Sequence, residues 1–408
     1  MKLTKLPVFT CVFALSVFTS GMAAAGPLIL RDDAFITPTV DTRFRYESGS
    51  LDTLDVSHNG SMRSRLGLMT KKVHGFQVFG EYEGTRVVDR QSYRAASVHG
   101  PATKTVIADP ESNEINQLWV SYESVDKTVG IKAGRQAINI DNQRYVGGVA
   151  WRQNMQTFDA ATLKWTPTSD LEVSYGYISQ VNRIFGSDVF FAPHTDFEGD
   201  THLVNVKLKS LPLGTLTGYA YSMDLTNRAG SATSNTSLGL SLAGDVFDTS
   251  ASYYLEYAHQ TDAHNSPRNY AANYGHGYLS YPICENLKLT GGLEYLGSDN
   301  NVGYQFPLGT NHKFNGFADV FLATPPVGLI NPYVSLATTL PCDIGAALFY
   351  HHFENEDWDL EFGNEIDLVL TKKINDRISL LGKGAYYMGS VDTTPDLTRM
   401  SIELNYKY

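Results

Sequence analysis

From about residue 35 to the carboxyl terminus, apolar and polar residues alternate every second position in stretches of about ten, the length a tilted strand needs to cross a bilayer. The last stretch is the clearest. Met400, Ile402, Leu404, Tyr406 and Tyr408 fall on one face, and Arg399, Ser401, Glu403, Asn405 and Lys407 on the other. Leu287, Leu289, Leu293 and Tyr295 likewise alternate with Lys288, Thr290 and Glu294. So do Leu360, Phe362, Ile366, Leu368 and Leu370 with Glu361, Gly363, Glu365, Asp367 and Thr371. No stretch carries the 3.6-residue apolar stripe of a helix.

The pattern predicts eighteen strands, beginning near Phe35, Gly60, Gly75, Asn113, Lys127, Gln156, Ser169, Gly199, Leu213, Ser234, Phe247, Ala271, Glu285, Gly328, Cys342, Asp359, Ile374 and Asp396. Their connections are long and short by turns. Residues 88–112, 138–155, 182–198 and 298–327 are long, whereas Lys72-Val73-His74 and Ser124-Val125-Asp126 are short. This predicts an all-β fold, a closed transmembrane antiparallel β-barrel of about 18 strands with short periplasmic turns and long extracellular loops. A soluble sandwich would alternate in the same way with its polar face outward. The loop asymmetry, the aromatic terminus at Tyr408 and the amino-terminal leader together favour the barrel, whose closure leaves no free strand edge.

The leader is residues 1–25. Lys2 and Lys5 precede an apolar segment over 6–20 and then Ala23-Ala24-Ala25, the layout of a cleaved signal peptide. Residues 26–408 are then the outer-membrane barrel, exported to the bacterial cell outer membrane. The chain carries a net charge of −11, and losing the leader removes two lysines and no acid. An acidic chain excludes nucleic-acid binding, which depends on clustered Lys and Arg neutralising phosphates. The expected partners are outer-membrane lipid and lipopolysaccharide, the barrel-assembly machinery through the closing strand, and a small anionic or saccharide solute. No cofactor or resident metal is implied.

With apolar residues facing lipid, parity turns Arg43 and Arg45 inward on the first strand and Arg63 and Arg65 on the second. They form a basic ladder flanked by Glu81 and Glu83 on the third strand and by Glu361, Glu365 and Asp367 on the sixteenth. Two readings stand side by side. The guanidinium groups steer and transiently bind carboxylate solutes, or they pair with the acids and stiffen the wall. Lys207 and Lys209 share the inward parity.

Other constellations have plainer explanations. His351 and His352 would serve a barrel hydrolase only with a serine beside them, and their strand offers none. Glu354, Glu356, Asp357 and Asp359 either hold Ca²⁺ or form a solvated loop. Cys284 and Cys342 each open a strand at a short turn in a compartment that permits a disulfide, but two strand spacings, about 10 Å, separate the turns. A bridge that pins the rim and a pair of free thiols both remain open.

Two segments are distinctive. Gly134-Arg135-Gln136-Ala137-Ile138 leads to Asp141-Asn142-Gln143-Arg144-Tyr145-Val146-Gly147, Trp151-Arg152-Gln153-Asn154 and Thr157-Phe158-Asp159-Ala160; His312-Lys313-Phe314-Asn315-Gly316-Phe317-Ala318-Asp319 precedes Pro325-Pro326-Val327-Gly328-Leu329. They resemble the alginate export family of outer-membrane barrels. The resemblance implies an eighteen-stranded porin, not an enzyme, with an arginine-rich lumen passing a polyuronate or another small anion. It also implies roles for Arg135, Arg144, Arg152 and Asp159, in a loop that folds toward the lumen. Strict parity puts Arg135 on the lipid side with Val129, Ile131 and Ala133, so a role there requires either a bulge or a position above the hydrocarbon. The competing function is a structural or adhesive barrel whose lumen is plugged by its own loops.

Overall fold

A computed structural model describes residues 34–96, 98–186, 196–227, 230–246, 249–390 and 395–408; the expected leader lies outside them. The strands are β1 (Ile36–Leu51), β2 (Ser57–Thr70), β3 (Phe76–Val87), β4 (Ser112–Glu123), β5 (Val129–Gln136), β6 (Thr157–Trp165), β7 (Leu171–Asn182), β8 (Asp196–Leu211), β9 (Gly214–Leu225) and β10 (Asn235–Asp245). They continue with β11 (Ser252–Asp262), β12 (Ala271–Cys284), β13 (Leu287–Leu296), β14 (Ser298–Asp299), β15 (Val302–Gly303), β16 (Leu329–Leu340), β17 (Ile344–Glu354), β18 (Glu361–Lys373), β19 (Ile378–Gly389) and β20 (Leu397–Lys407). β14 and β15 pair only with each other inside a loop, and the remaining strands form one 18-stranded sheet. Each strand pairs antiparallel with its neighbour in the sheet, and β20 returns to β1 with Phe44 opposite Leu404 and Tyr46 opposite Ile402. Val40 and Tyr408 exchange both backbone hydrogen bonds at the seam, so the terminal aromatic completes the closure.

Closure sorts the two faces as alternation demands. On β20 Ile402 is 64% exposed and its neighbour Glu403 2%. On β2 Leu66 and Leu68 lie outside while Arg63 and Arg65 are buried inside. Small residues let large rings lie across the strands. A side chain at Gly239 would meet the Tyr219 ring at 2.3 Å, and one at Gly292 the Tyr333 ring at 2.5 Å. The two ends of the barrel differ as expected. The turn between β8 and β9 spans two residues, whereas 88–111, 137–156 and 297–328 are long.

These long loops turn into the barrel. Segments 137–156 and 297–328 join through Gly147 N–H to the Leu308 carbonyl at 2.9 Å and Thr310 N–H to the Gln143 carbonyl at 2.9 Å. Where they meet the wall, Tyr145, Tyr304 and Phe306 of the loops and Tyr219, Tyr221 and Tyr274 of β9 and β12 form one buried aromatic cluster with ring centroids 4.9–6.4 Å apart.

Strict alternation fails on β18. Phe353 faces Gly363 and the next pair is Glu354 with Glu361, so one residue is inserted. Gly363 takes φ 143°, and the slip sends Phe362 inward and Glu361 outward. The expectation that Glu361 lines the lumen is therefore corrected: its carboxylate accepts from Asn364 on the outer face.

Candidate functional site

The first two strands turn all four ladder arginines inward, and every one meets a carboxylate. Arg63 pairs with Asp41 and Arg65 with Glu83. Arg45, almost fully buried, pairs with Glu403 and with Asp109 at 2.8 Å and lies 3.7 Å from Glu47. Arg43 Nε donates to Asn405 at 2.9 Å and lies 3.3 Å from Glu403. Its Nη1 points to the carbonyls of Ala150, Trp151 and Arg152 at 3.1–3.2 Å, and Arg45 also donates to the Trp151 carbonyl. Five donors in a planar fork let one guanidinium satisfy an acid and a loop backbone together. This is the pairing alternative, extended: the ladder holds the inward loop.

The loop carries its own arginines. Arg152 reaches Asp319 at 3.0 Å and Glu47 at 3.3 Å, with its guanidinium 3.8 Å above the Trp151 ring. Trp151 stacks on His312 at 3.4 Å, and His312 lies beside Phe317. His312 Nδ1–H donates to Asp319 at 2.7 Å, and its Nε2 accepts from Lys383 at 2.9 Å, which assigns the neutral tautomer. Burial pushes His312 down to about 4. Burial alone would raise Asp319, but the contacts with His312, Arg152 and Arg399 outweigh it and hold it at about 2.

Arg144 is fully buried. Its Nε lies 2.9 Å from Glu294, its Nη1 donates to Asn311 at 3.2 Å, and its plane sits 4.1 Å and 4.6 Å from the Phe306 and Phe314 rings. Tyr274 donates to Glu294 at 2.7 Å.

The remaining acids also have partners. Glu81 accepts from Asn116 and Gln117. Glu365 and Asp367 accept the backbone N–H groups of Ala318 at 2.7 Å and Phe317 at 3.2 Å, so they anchor the tip of loop 297–328. Two further expectations are corrected. Arg135 and Asp159 form a bidentate pair at 2.7 Å and 3.0 Å, but Arg135 is registered opposite exposed Leu118, on the outer face. β5 contains no bulge between Val129 and Arg135, so parity holds and keeps the pair out of the lumen. Of the two alternatives left open for Cys284 and Cys342, the structure has the pair of free, exposed thiols. His351 points inward and His352 outward, and Lys207 reaches Asp141 at 2.5 Å from the lumen wall.

Among the described residues, the cavities inside the barrel include three of about 290 Å³ or more. One of about 460 Å³ at the long-loop end is lined by Arg144, Arg183 and Arg268 and by no acid. One of about 410 Å³ runs along β4 to β8 beneath residues 136–140 and contains Lys132. One of about 290 Å³ below Phe314 and Phe317 contains Lys288 and Lys313 beside aromatic rings. Among the described residues Lys132, Lys288, Lys313, Arg183 and Arg268 have no carboxylate within ion-pair distance, while Glu123 and Glu294, the acids that line the cavities, are paired with Lys72 and Arg144. Burial lowers Arg183 to about 10, which leaves it cationic at neutral pH. Sequence reading missed these cations. Inward parity already marks Lys288, whose even-numbered neighbours Thr290 and Glu294 share its face, but parity cannot tell a matched charge from an unmatched one.

Residues 37–319 match the family model described as alginate export. No curated protein matches the chain. Solved structures share the fold at low identity. OccAB4 of Acinetobacter baumannii superposes with a TM-score of 0.69 at 12% identity, covering 92% of this chain and 99% of its own. OpdQ of Pseudomonas aeruginosa gives 0.67 at 11%, covering 93% and 99%. OpdK of Pseudomonas aeruginosa, in its structure with vanillate, gives 0.66 at 13%, covering 91% and 99%.

Proposed function

The chain belongs to the alginate export family and has the barrel of outer-membrane porins, and from that premise we propose that it is a passive, anion-preferring channel of the bacterial outer membrane. The observation that carries this reading is the charge of the cavities. In a chain of net charge −11, these three cavities present unmatched Lys and Arg and no unmatched carboxylate among the described residues. In a narrow, partly dry passage such charges raise the local concentration of anions. Cavities of about 290–460 Å³ suit a small carboxylate or a single uronate unit better than a polymer threaded through. Residues 1–25 act as the export signal, the closing strand addresses the assembly machinery, and lipid with lipopolysaccharide surrounds the wall.

In planar bilayers under a KCl gradient the reversal potential has the sign of chloride selectivity. Replacing Lys132, Lys288 and Lys313 together by Gln moves it toward cation selectivity. An unchanged potential in that variant refutes the role of the cavity charges. The packing of Trp151, His312 and the tyrosine cluster in the lumen supports the second reading, a loop-sealed barrel with an adhesive or structural role. That reading expects negligible conductance in the wild type, and conductance that appears once residues 137–156 and 297–328 are deleted.

A further inference from the structure

The Arg144–Glu294 pair stands where two cavities meet. Arg144, Phe306 and Asn311 line the 460 Å³ cavity at the long-loop end. Glu294, Phe314 and Lys313 line the 290 Å³ cavity below. The ion pair and the two rings that sandwich its guanidinium therefore form the partition between the upper and lower spaces.

Its chemistry makes the partition selective. A buried guanidinium that loses its carboxylate is left uncompensated at low dielectric, which strongly disfavours opening by simple separation of the pair. Opening becomes favourable only when another carboxylate takes Glu294's place, because the charge, the fork geometry and the hydrogen bonds are then reproduced. A cation or a neutral solute has nothing to offer there. Displaced Glu294 keeps the hydroxyl of Tyr274, 2.7 Å away. Below the partition Lys288 and Lys313 have no carboxylate partner among the described residues and can receive the incoming anion.

We infer that Arg144 is a carboxylate-exchange gate: a small organic monocarboxylate replaces Glu294 on its guanidinium, beside the Phe306 and Phe314 rings that pack on it, and is handed down to Lys288 and Lys313. The inference rests on the anion-channel reading above and adds a site and a solute class to it.

The full chain, reconstituted in planar bilayers in KCl, tests this with potassium benzoate added to either side in turn. Wild-type channels show benzoate-dependent current interruptions. Glu294→Gln removes the competing carboxylate, keeps the side-chain shape, and lengthens the interruptions about thirtyfold or more, the scale expected when one member of a desolvated charge pair is lost. Arg144→Gln abolishes the interruptions while the heat-dependent gel mobility of a folded barrel is retained. If Arg144→Gln does not fold, Glu294→Gln alone decides. Interruptions of equal length in wild type and Glu294→Gln, or none in an anion-selective wild type, overturn the exchange gate and leave the channel reading standing. A wild type that prefers potassium over chloride overturns the channel reading itself.

Discussion

Arg45 shows how a lumenal charge becomes a structural clip. It sits among Glu403, Asp109 and Glu47 and donates to the Trp151 carbonyl, with almost no exposure of its own. Burial alone would raise Asp109, but the charges of Arg45 and Arg152 outweigh it and hold that acid below its ordinary range. Replacing Arg45 by Met leaves Glu403, Asp109 and Glu47 short of one cation in a poorly hydrated space, with Arg43, Arg152 and Arg399 left to balance them. Breaking a buried pair from one side costs about 3–5 kcal/mol. Urea unfolding of the barrel in lipid vesicles should show a loss of that order, together with protease cleavage between residues 137 and 156. Exposed Lys373, paired with Asp376 at the turn end, should change neither when replaced by Gln.

The inward loops are elements in which a few contacts carry the docking. Loop 297–328 rests its tip on β18 through two backbone N–H groups and reaches them by a turn at Gly316, where φ is +79°. A Cβ there would lie 2.4 Å from the Glu365 carboxylate. Gly316→Ala combines a strained backbone with that clash and should destabilise docking by about 1–3 kcal/mol, visible as faster cleavage of the loop in a folded barrel. The same loop is acid-sensitive in a defined direction. His312 falls from its ordinary 6.5 to about 4, so it is neutral when docked and protonates more readily when released. Docking is at full strength above pH 6.5 and weakens as the pH falls toward about 4. Asp319, held at about 2 against an ordinary 3.8, adds a second loss as the pH falls through that lower range. Lys383, Arg152 and Arg399 face this pair, so protonating His312 adds charge to a site already rich in cations. Current noise should therefore rise between pH 6.5 and 4, and His312→Gln should flatten that part of the profile while sparing the part below it.

At the scale of the whole molecule, the barrel is held by closure on the outside and by the charge network within. The outer wall is apolar because hydrocarbon cannot solvate charge. Leu368, registered opposite Leu348 and Gly384 near the middle of its strand, is exposed on that wall. Leu368→Arg should destabilise the vesicle-inserted barrel by about 2–4 kcal/mol; unfolding in vesicles checks this, and an unchanged midpoint would mean that Leu368 does not face lipid. Of the eighteen starts expected from alternation, Ala271 coincides with a strand start, Phe35, Gly75 and Asp396 are one residue early, and Ile374 is four residues ahead of Ile378, while Phe247 lies outside the described residues. Turn boundaries drift because a turn is set by a few local residues, whereas the faces are set by whole strands.

The amino-acid sequence by itself determined the number of strands, the face each side chain takes along regular stretches, and which connections are long. A strand alternates by its covalent geometry, and a membrane requires the apolar half to face outward, so both can be read residue by residue. Tertiary structure alone decided which charges are free. Arg45 meets Glu403 across 358 positions, and Arg144 meets Glu294 across 150. One inserted residue on β18 moves Glu361 to the opposite face. Barrel closure and loop docking bring these groups together, and local pattern carries no record of partners so distant. The ladder arginines thus became clips for the loops, and Lys132, Lys288 and Lys313, ordinary in sequence, line the cavities with no carboxylate partner among the described residues.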